Sequence, residues 1–476
     1  MAQNGRLVLA LFLALSSAFA LGASPNVVLF YADDLGWADV ACQGTAYLET
    51  PHIDRLAAEG MRFTQAYAAA ANCAPSRASL LTGCYPPRHG IFTVGNSDRG
   101  NAKHRQLVPI QNRTTLGGEF VTLGTLFHNA GYRTCVAGKW HVSPDPRRFG
   151  FDINFGGNQA GHPKSYFSPY KNPQLQDGPD GEHLPERLGR EVADWITQNA
   201  DGPFFVYLPF YSVHTPIQAR PELANKYQTK RSQWPAAPQT AAYAAMIESM
   251  DAAVGQVLGT LDQLQLTDNT LVIFSSDNGP HGAVSHAEPL RGSKGMFYEG
   301  GIREPLIVRY PKIVQPNQVC EQVVHQVDLF PTLQELIGGK PVPQKLDGVS
   351  VLPVLRGQSL AERDLYWHFP CYLEGGPKNI RGSRYAKHWR TTPCSVIRSD
   401  NWKLIEYFED GEFELYNLAR DPRESTNLFA SNQVEAQRLK KSLREWQESV
   451  DAPIPTQRNP QFKNLDPANP IGNATR

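Results

Sequence analysis

Four short apolar runs are each followed, within a few residues, by polar residues suited to chemistry. This arrangement limits the fold more than any other feature of the chain. Asn26-Val-Val-Leu-Phe-Tyr31 is followed by Asp33-Asp34, and Thr134-Cys-Val-Ala137 by Gly138-Lys139-Trp140-His141. Phe204-Phe-Val-Tyr-Leu208 leads to His214-Thr-Pro216, and Leu271-Val-Ile-Phe274 to Asp277-Asn278-Gly279. Helical patterns separate the runs, which predicts βαβ units and a large, mostly parallel central sheet flanked by helices. In an open α/β sheet, ligands bind beyond the carboxyl ends of the strands. The four motifs can therefore meet in one cleft although they are far apart in sequence.

The chain has 476 residues, enough for one large α/β domain with an appendage. Lys plus Arg and Asp plus Glu each total 46, so no charge excess argues for nucleic acid. Arg6, the apolar run Leu7 to Leu15 and the small-residue site Ala18-Phe19-Ala20 predict a signal peptide over 1–23, cleaved near 20–23. That run is short for a bilayer span, and no Cys follows the cleavage site as in a lipoprotein. The expectation is a soluble exported protein, periplasmic or extracellular, with no stable membrane insertion. Seven cysteines leave at least one unpaired in an oxidising compartment. Their spacing matches no zinc pattern; Cys371 and Cys394 flank one loop and are a candidate bridge.

A catalytic domain is expected over 24–356 and a smaller α+β subdomain, carrying an antiparallel sheet, over 357–476. In the latter, Trp402 to Phe408, the turn Glu409-Asp-Gly411 and Glu412 to Tyr416 read as a β-hairpin. Asn432 to Val450 reads as an amphipathic helix. Gln159 to Asp180 and Gln228 to Gln239 read as long surface loops.

Asp33 and Asp34 repel each other unless a cation neutralises them. With Asp277 and Asn278 they form an all-oxygen donor set suited to Ca²⁺, with Mg²⁺ second because it demands near-octahedral geometry. For a single Asp pair, capping a helix or turn is the simpler reading; two pairs directly after apolar strands favour the metal. Arg77, Lys139, His141, His214 and Lys294 add cations and a proton donor, and collected around a divalent ion they describe a pocket for a tetrahedral oxyanion ester. Cys73 opens the stretch Cys-Ala-Pro-Ser-Arg-Ala-Ser-Leu-Leu-Thr-Gly83, with Pro75 suited to a first helical turn. A thiolate at a helix N-terminus is activated. Sulfur nevertheless suits a hard dication poorly, so Cys73 beside Ca²⁺ makes sense only if oxygen replaces its sulfur.

Cys73-x-Pro75-Ser76-Arg77 with Leu81-Thr82-Gly83 resembles the signature of the type I sulfatases, in the alkaline-phosphatase-like superfamily. The resemblance runs from Pro25-Asn26-Val to Glu414-Leu-Tyr-Asn-Leu418-x-x-Asp421-Pro422. It takes in Gly-Lys-Trp-His, His214-Thr-Pro, Asp277-Asn-Gly and Gly300-Gly-Ile-Arg303. It implies that a maturation enzyme oxidises Cys73 to formylglycine, whose hydrate attacks the sulfur of a sulfate ester and forms a sulfated covalent intermediate. Metal ligands would be Asp33, Asp34, Asp277, Asn278 and the modified residue 73. Arg77, Lys139 and Lys294 would stabilise charge, His214 or Lys294 would protonate the leaving oxygen, and His141 would help deprotonate the second hydroxyl. Arg303 would support the site and His281 would stand at its rim. The basic and aromatic stretch Lys378 to Arg390, with Arg384 and Trp389, is a candidate subsite for a sulfated saccharide. The alternatives are a phosphate or phosphonate ester hydrolase of the same superfamily, or a non-catalytic binder of sulfated glycans if Cys73 stays a thiol.

Overall fold

The computed structural model describes residues 24–375 and 388–463; the expected leader 1–23 and Arg384 lie outside them. Strand β1 (Asn26–Ala32) is buried throughout. Val28 and Phe30 enter the core on one side of it, and Val27 and Leu29 the core on the other. A strand covered on both faces has no solvent side, which is why its sequence is a continuous apolar run. The main sheet also contains β2 (Met61–Tyr67), β3 (Arg133–Ala137), β4 (Ile153–Phe155), β5 (Phe204–Pro209), β6 (Thr270–Ser276), β7 (Arg303–Arg309), β8 (Gln318–Cys320) and β9 (Val324–His325). Its order is β4-β3-β5-β1-β6-β7-β2-β8, with β9 also on β2. The strands from β4 to β6 are all parallel, as expected; β7 runs antiparallel to both β6 and β2.

Helix α1 (Cys73–Thr82) packs Ala78, Leu80 and Leu81 into the core shared with Val27 and Leu29. Helices α2 (Leu184–Gln198) and α3 (Ala241–Gln263) cover the opposite face through residues such as Leu188, Val192, Val254 and Leu258. Helix α1 stops at Gly83, whose φ of +69° is left-handed and whose amide donates to Ser79 O. A Cβ there would lie 2.8 Å from Phe330 Cβ, so only glycine fits.

Beyond the main sheet follow β10 (Leu365–Phe369), β11 (Leu373–Glu374), β12 (Trp389–Thr391), β13 (Cys394–Ser399), β14 (Trp402–Tyr407) and β15 (Phe413–Asn417). β10, β13, β14 and β15 form an antiparallel sheet in that order, and β11 pairs with β12 as a separate ribbon. The expected hairpin is β14–β15, with Gly411 at φ +70° in its turn. The expected final helix is α4 (Gln433–Ser449), capped by the Asn432 side chain, which accepts from the Glu435 amide. α4 packs Leu439, Leu443 and Trp446 on Ile397, Leu404 and Leu415. The other face of this sheet, with Val396 and Ile405, buries Met296, Phe297 and Tyr298 of the larger unit.

Three expectations change. Cys371 and Cys394 are both buried free thiols: Cys371 faces Ile110 O and Cys394 faces Thr391 Oγ1, so packing points them at different partners. The stretch Gln159 to Asp180 is not only surface, because Tyr166 is fully buried and its hydroxyl lies 2.9 Å from His214 O. A helix, Pro221–Lys230, reaches into the second expected loop.

A buried ion cluster ties the two sheets together. Lys403 Nζ on β14 lies 3.1 Å from Glu299 Oε1 and 2.8 Å from Glu424 Oε1, with all three side chains fully buried. The Tyr67 hydroxyl donates to Glu299 Oε2 at 2.6 Å, and the Glu299 amide donates to Glu424 Oε2 at 2.7 Å. Lys403→Met would strand two buried carboxylates and is expected to lower unfolding stability by about 3–5 kcal/mol. Urea denaturation followed by fluorescence measures this; an unchanged midpoint would show that the cluster is not needed.

Candidate active site

Parallel strands deliver side chains to one edge. β1 ends at Asp33 and Asp34, β6 at Asp277 and Asn278, β3 leads to Lys139 and His141, and β5 leads to His214. From the other side α1 presents Cys73 in its first turn and Arg77 one turn later. Lys139 Nζ donates to Asp33 Oδ2 at 2.6 Å. Lys294 Nζ lies 2.6 Å from Asp34 Oδ1, and Arg77 Nε donates to Asp277 Oδ2 at 2.9 Å. Arg77 Nη1 donates to Lys139 O at 2.8 Å, and the guanidinium sits 5.2 Å from the centre of the Tyr31 ring. Nine of the sequence-derived residues thus surround one point: Asp33, Asp34, Cys73, Arg77, Lys139, His214, Asp277, Asn278 and Lys294.

Two oxygens there lack a hydrogen-bond partner although both are buried: Asp33 Oδ1 and Asn278 Oδ1. Buried acceptors are costly unless something positive meets them. Candidate ligand atoms of Asp33, Cys73 and Asp277 lie within 4.8 Å of one another, as do those of Asp33, Asp34 and His214. The donor set is mainly oxygen, so these residues fit a hard cation. Asn278 Nδ2 donates to Asp34 Oδ1 at 2.8 Å, which leaves the amide oxygen as the atom available to a cation.

Charge separates the titrating groups. Burial raises the Asp34 carboxyl, but Lys294, His214 and Lys139 outweigh it and hold that group well below the usual carboxylate range. Burial and the neighbouring Asp33 push Asp277 up to about 6, against the pull of Arg77 and Lys139. Burial together with Lys294 lowers His214 to about 3. The His214 Nδ1 faces Thr215 O at 2.8 Å, so Nε2 is the atom turned toward Asp34, 3.7 Å from Oδ2. Burial and three cations hold His141 well below its usual value, and its Nδ1 is buried without a partner. Cys73 is 2% exposed, and burial raises its thiol despite Lys139 and Lys294. The activation expected of a helix-terminal thiolate is thus overridden by desolvation.

Two residues of the site hold left-handed backbone that side chains disfavour: Asp34 at φ +60° and His141 at φ +67°. Each is braced. The Asp34 amide donates to Asp277 Oδ1 at 3.1 Å, and the Tyr243 hydroxyl lies 2.9 Å from Asp34 O and 2.8 Å from Asp39 Oδ2. Asp39 is in turn held by Gln239 Nε2 at 2.6 Å and the Gly36 amide at 3.0 Å. The His141 amide donates to Asn158 O at 2.9 Å, and Gly161 lies so close that a Cβ there would sit 2.7 Å from His141 Nε2.

Over these residues opens a cavity of about 240 Å³, whose lining includes Cys73, His141, His214 and Lys294. His281 stands in its wall, as expected, with Nε2 3.5 Å from Arg390 Nη2. Arg303 lies elsewhere, donating through Nε to Thr64 O at 2.7 Å and stacking over Trp37. Trp389 is a correction: it is 3% exposed, packs against Tyr372 and Leu107, and donates to His104 O at 3.1 Å, so its ring is closed to a sugar. Alternation along β12 turns the next residue, Arg390, into the cavity instead.

The Sulfatase family model matches residues 25–339, well over half of the chain. The chain belongs to the sulfatase family. A second model, described as N-sulphoglucosamine sulphohydrolase, C-terminal, matches residues 292–449. A sulfatase of Formosa agariphila is 35% identical, covering 90% of this chain and 90% of its own. An N-acetylgalactosamine-6-O-sulfatase of Bacteroides thetaiotaomicron is 29% identical over 85% of this chain and 89% of its own. The crystal structure of Ps i-CgsB superposes with a TM-score of 0.74 at 27% identity, covering 91% of this chain and 94% of that one. This sulfatase is therefore a sulfuric ester hydrolase with the alkaline-phosphatase-like architecture.

Arg390 closes the stretch expected to be a subsite, whereas sequence reasoning missed Arg99, His162 and Glu374, which also line the sulfatase cleft. None follows an apolar strand of the main sheet, so the strand-end signal could not find them. The Tyr243 brace is equally invisible, since its sequence context is an ordinary helical one. Tyr243→Phe leaves Asp39 and the Asp34 carbonyl short of a donor and is expected to cost about 1–3 kcal/mol of unfolding free energy. Denaturant titration checks this; a loss below about 0.5 kcal/mol would fit an unimportant surface contact instead.

Proposed function

We propose that this sulfatase is an exported enzyme that hydrolyses a sulfate ester on a carbohydrate, with Cys73 matured to formylglycine and one Ca²⁺ at Asp33, Asp34, Asp277 and Asn278. The observation that carries the reading is Cys73 itself, at the start of α1 on the cleft floor beside Lys139, Lys294 and two unmet buried oxygens. The names of relatives support a sugar substrate: one is an N-acetylgalactosamine-6-O-sulfatase. Ps i-CgsB has also been crystallised with k-i-k-neocarrahexaose, in a structure that matches with a TM-score of 0.73 at 27% identity. Among the described residues no helix is long and apolar enough to cross a membrane, which is compatible with export.

When present, the hydrated aldehyde supplies an oxygen nucleophile and the cation supplies positive charge beside it. The protein's own part can be read from its side chains. Arg77 pairs with Asp277 and keeps that carboxylate facing the cation site, while also steadying the Lys139 carbonyl. Lys139 and Lys294, each paired with one Asp, bring positive charge to the sulfate oxygens without leaving a charge unpaired in the resting protein. Lys294 Nζ stands on the open side, where it can give a proton to the departing alcohol oxygen; His214 Nε2, neutral in the resting protein, can share that role only after it has taken up a proton. His141, held neutral and lining the same cavity as residue 73, is the candidate to accept a proton from that residue.

A second reading is favoured by one neighbour, a phosphonate monoester hydrolase of Agrobacterium radiobacter, which shares the fold with a TM-score of 0.64 at 22% identity. Matched assays on an aryl sulfate and an aryl phosphate are expected to show faster sulfate hydrolysis; the opposite order would select the rival. Mass spectrometry of protein co-expressed with a maturation enzyme is expected to find the aldehyde at position 73. Cys73→Ala is expected to fold and to lose turnover by on the order of 10³-fold or more. Near-native activity in that variant would remove the proposed nucleophile. Elemental analysis is expected to give one calcium per chain, and adding Ca²⁺ to chelated protein to raise its unfolding midpoint. Stoichiometric zinc, or full activity after exhaustive chelation, would contradict the assignment.

A further inference from the structure

One wall of the cleft, next to Lys294, is built from a part of the chain that the sulfatase signature does not include. Arg99 grips Glu374 in a two-pronged fork, Nε to Oε2 at 2.7 Å and Nη2 to Oε1 at 2.6 Å. The fork is itself positioned: Arg99 Nη1 donates to Val94 O at 2.8 Å, and Arg105 Nη1 donates to Arg99 O at 2.5 Å. Glu374 sits on the β11–β12 ribbon, opposite Trp389 in register, and the anchored Trp389 fixes that ribbon against Tyr372. Arg390 from the same ribbon donates to Lys294 O at 3.3 Å, linking this wall directly to a residue of the sulfate pocket. Val94 and Leu373 add an apolar patch between the polar groups.

These groups have a common use. Each carboxylate oxygen of Glu374 accepts one Arg99 hydrogen, which leaves further lone pairs in a fixed plane for hydroxyl donors. The Arg99 charge is spent on Glu374, so the fork as a unit offers hydrogen bonds without offering a net positive charge. At the Glu374 oxygens a substrate carboxylate meets lone pairs with no hydrogen to share, whereas ring hydroxyls are accepted. The cavity of about 240 Å³ has room for a sugar ring. Val94 and Leu373 suit the C–H face of such a ring.

Resting on the sulfatase reading above, we propose that Glu374, held by Arg99, is the specificity-determining residue of this enzyme. It reads adjacent hydroxyls of a neutral sugar ring that carries the sulfate, and it disfavours rings bearing a carboxylate.

The test uses the full matured enzyme on three probes: an aryl sulfate, a monosulfated methyl glycoside of a neutral hexose, and a monosulfated methyl glycoside of a hexuronic acid. Native enzyme is expected to prefer the neutral glycoside to the hexuronide. Glu374→Gln and Arg99→Lys are each expected to lower the ratio of kcat/KM for the neutral glycoside over the aryl sulfate by about tenfold or more. Glu374→Gln is additionally expected to narrow the gap between the two glycosides. Unfolding midpoints of both variants guard against a folding defect, and Glu374→Gln is nearly isosteric. An unmoved ratio in both variants, or a native preference for the hexuronide, overturns the role of Glu374 while leaving the sulfatase reading intact. A native enzyme that turns over aryl sulfate and no glycoside overturns the carbohydrate assignment, and this inference with it.

Discussion

Three carboxylates and three cationic side chains meet, buried, near the ends of β1, β3 and β6, and this cluster sets the terms for the rest of the molecule. Asp33, Asp34, Asp277, Arg77, Lys139 and Lys294 are each at most 8% exposed. Like charges at such range are strongly repulsive in a low dielectric, and each ion loses several kcal/mol of hydration on burial. Only close pairing offsets this, so each Asp has its own cation at hydrogen-bonding distance. A cluster so placed tolerates little movement. Parallel strands, whose ends are fixed by ladders on both sides, are a suitable frame for it.

The support behind the cluster follows from the same demand. Asp34 turns after β1 so that its amide meets Asp277 Oδ1 and its carboxylate meets Lys294 Nζ, and it does so through left-handed backbone. That conformation persists because donors and acceptors on α3 and the loops meet its amide and carbonyl. Asp39, buried behind it, is raised by burial even though Gln239, Tyr243, the Gly36 amide and Ser285 all donate to it. The arrangement is a second layer whose function is to keep the first in register.

The smaller sheet contributes more than bulk. Its apolar face seals Met296, Phe297 and Tyr298, the residues directly after Lys294, so the position of that lysine depends on the C-terminal part of the chain. The ribbon between the two sheets then carries Glu374 and Arg390 back over the cleft. Sulfate chemistry and substrate selection thus draw on different parts of the chain, joined through the Lys294 carbonyl. Such a division lets the outer wall vary while the charge cluster, which tolerates little, stays fixed.

The sequence alone determined the strand ends and what they carry. Runs such as Val27 to Tyr31 carry no charged residue because both faces are covered, and Asp33-Asp34 directly afterwards marks the strand end as a place where positive charge must gather. The hairpin at Trp402 and the helix capped by Asn432 were legible for similar reasons, since local periodicity and capping are properties of a few consecutive residues. The tertiary structure alone decided the pairings between distant segments. Trp389 and Arg390 are neighbours in a basic, aromatic stretch, and only the packing of Tyr372 and Leu107 against one of them determines which faces the cleft. Arg99 and Glu374 are 275 residues apart, and no local pattern marks either as the partner of the other. The two thiols at Cys371 and Cys394 look like a bridge by spacing, but each meets a different partner in the packed structure. Local sequence fixes which side of an element a residue takes, whereas what lies across from it depends on how the elements pack.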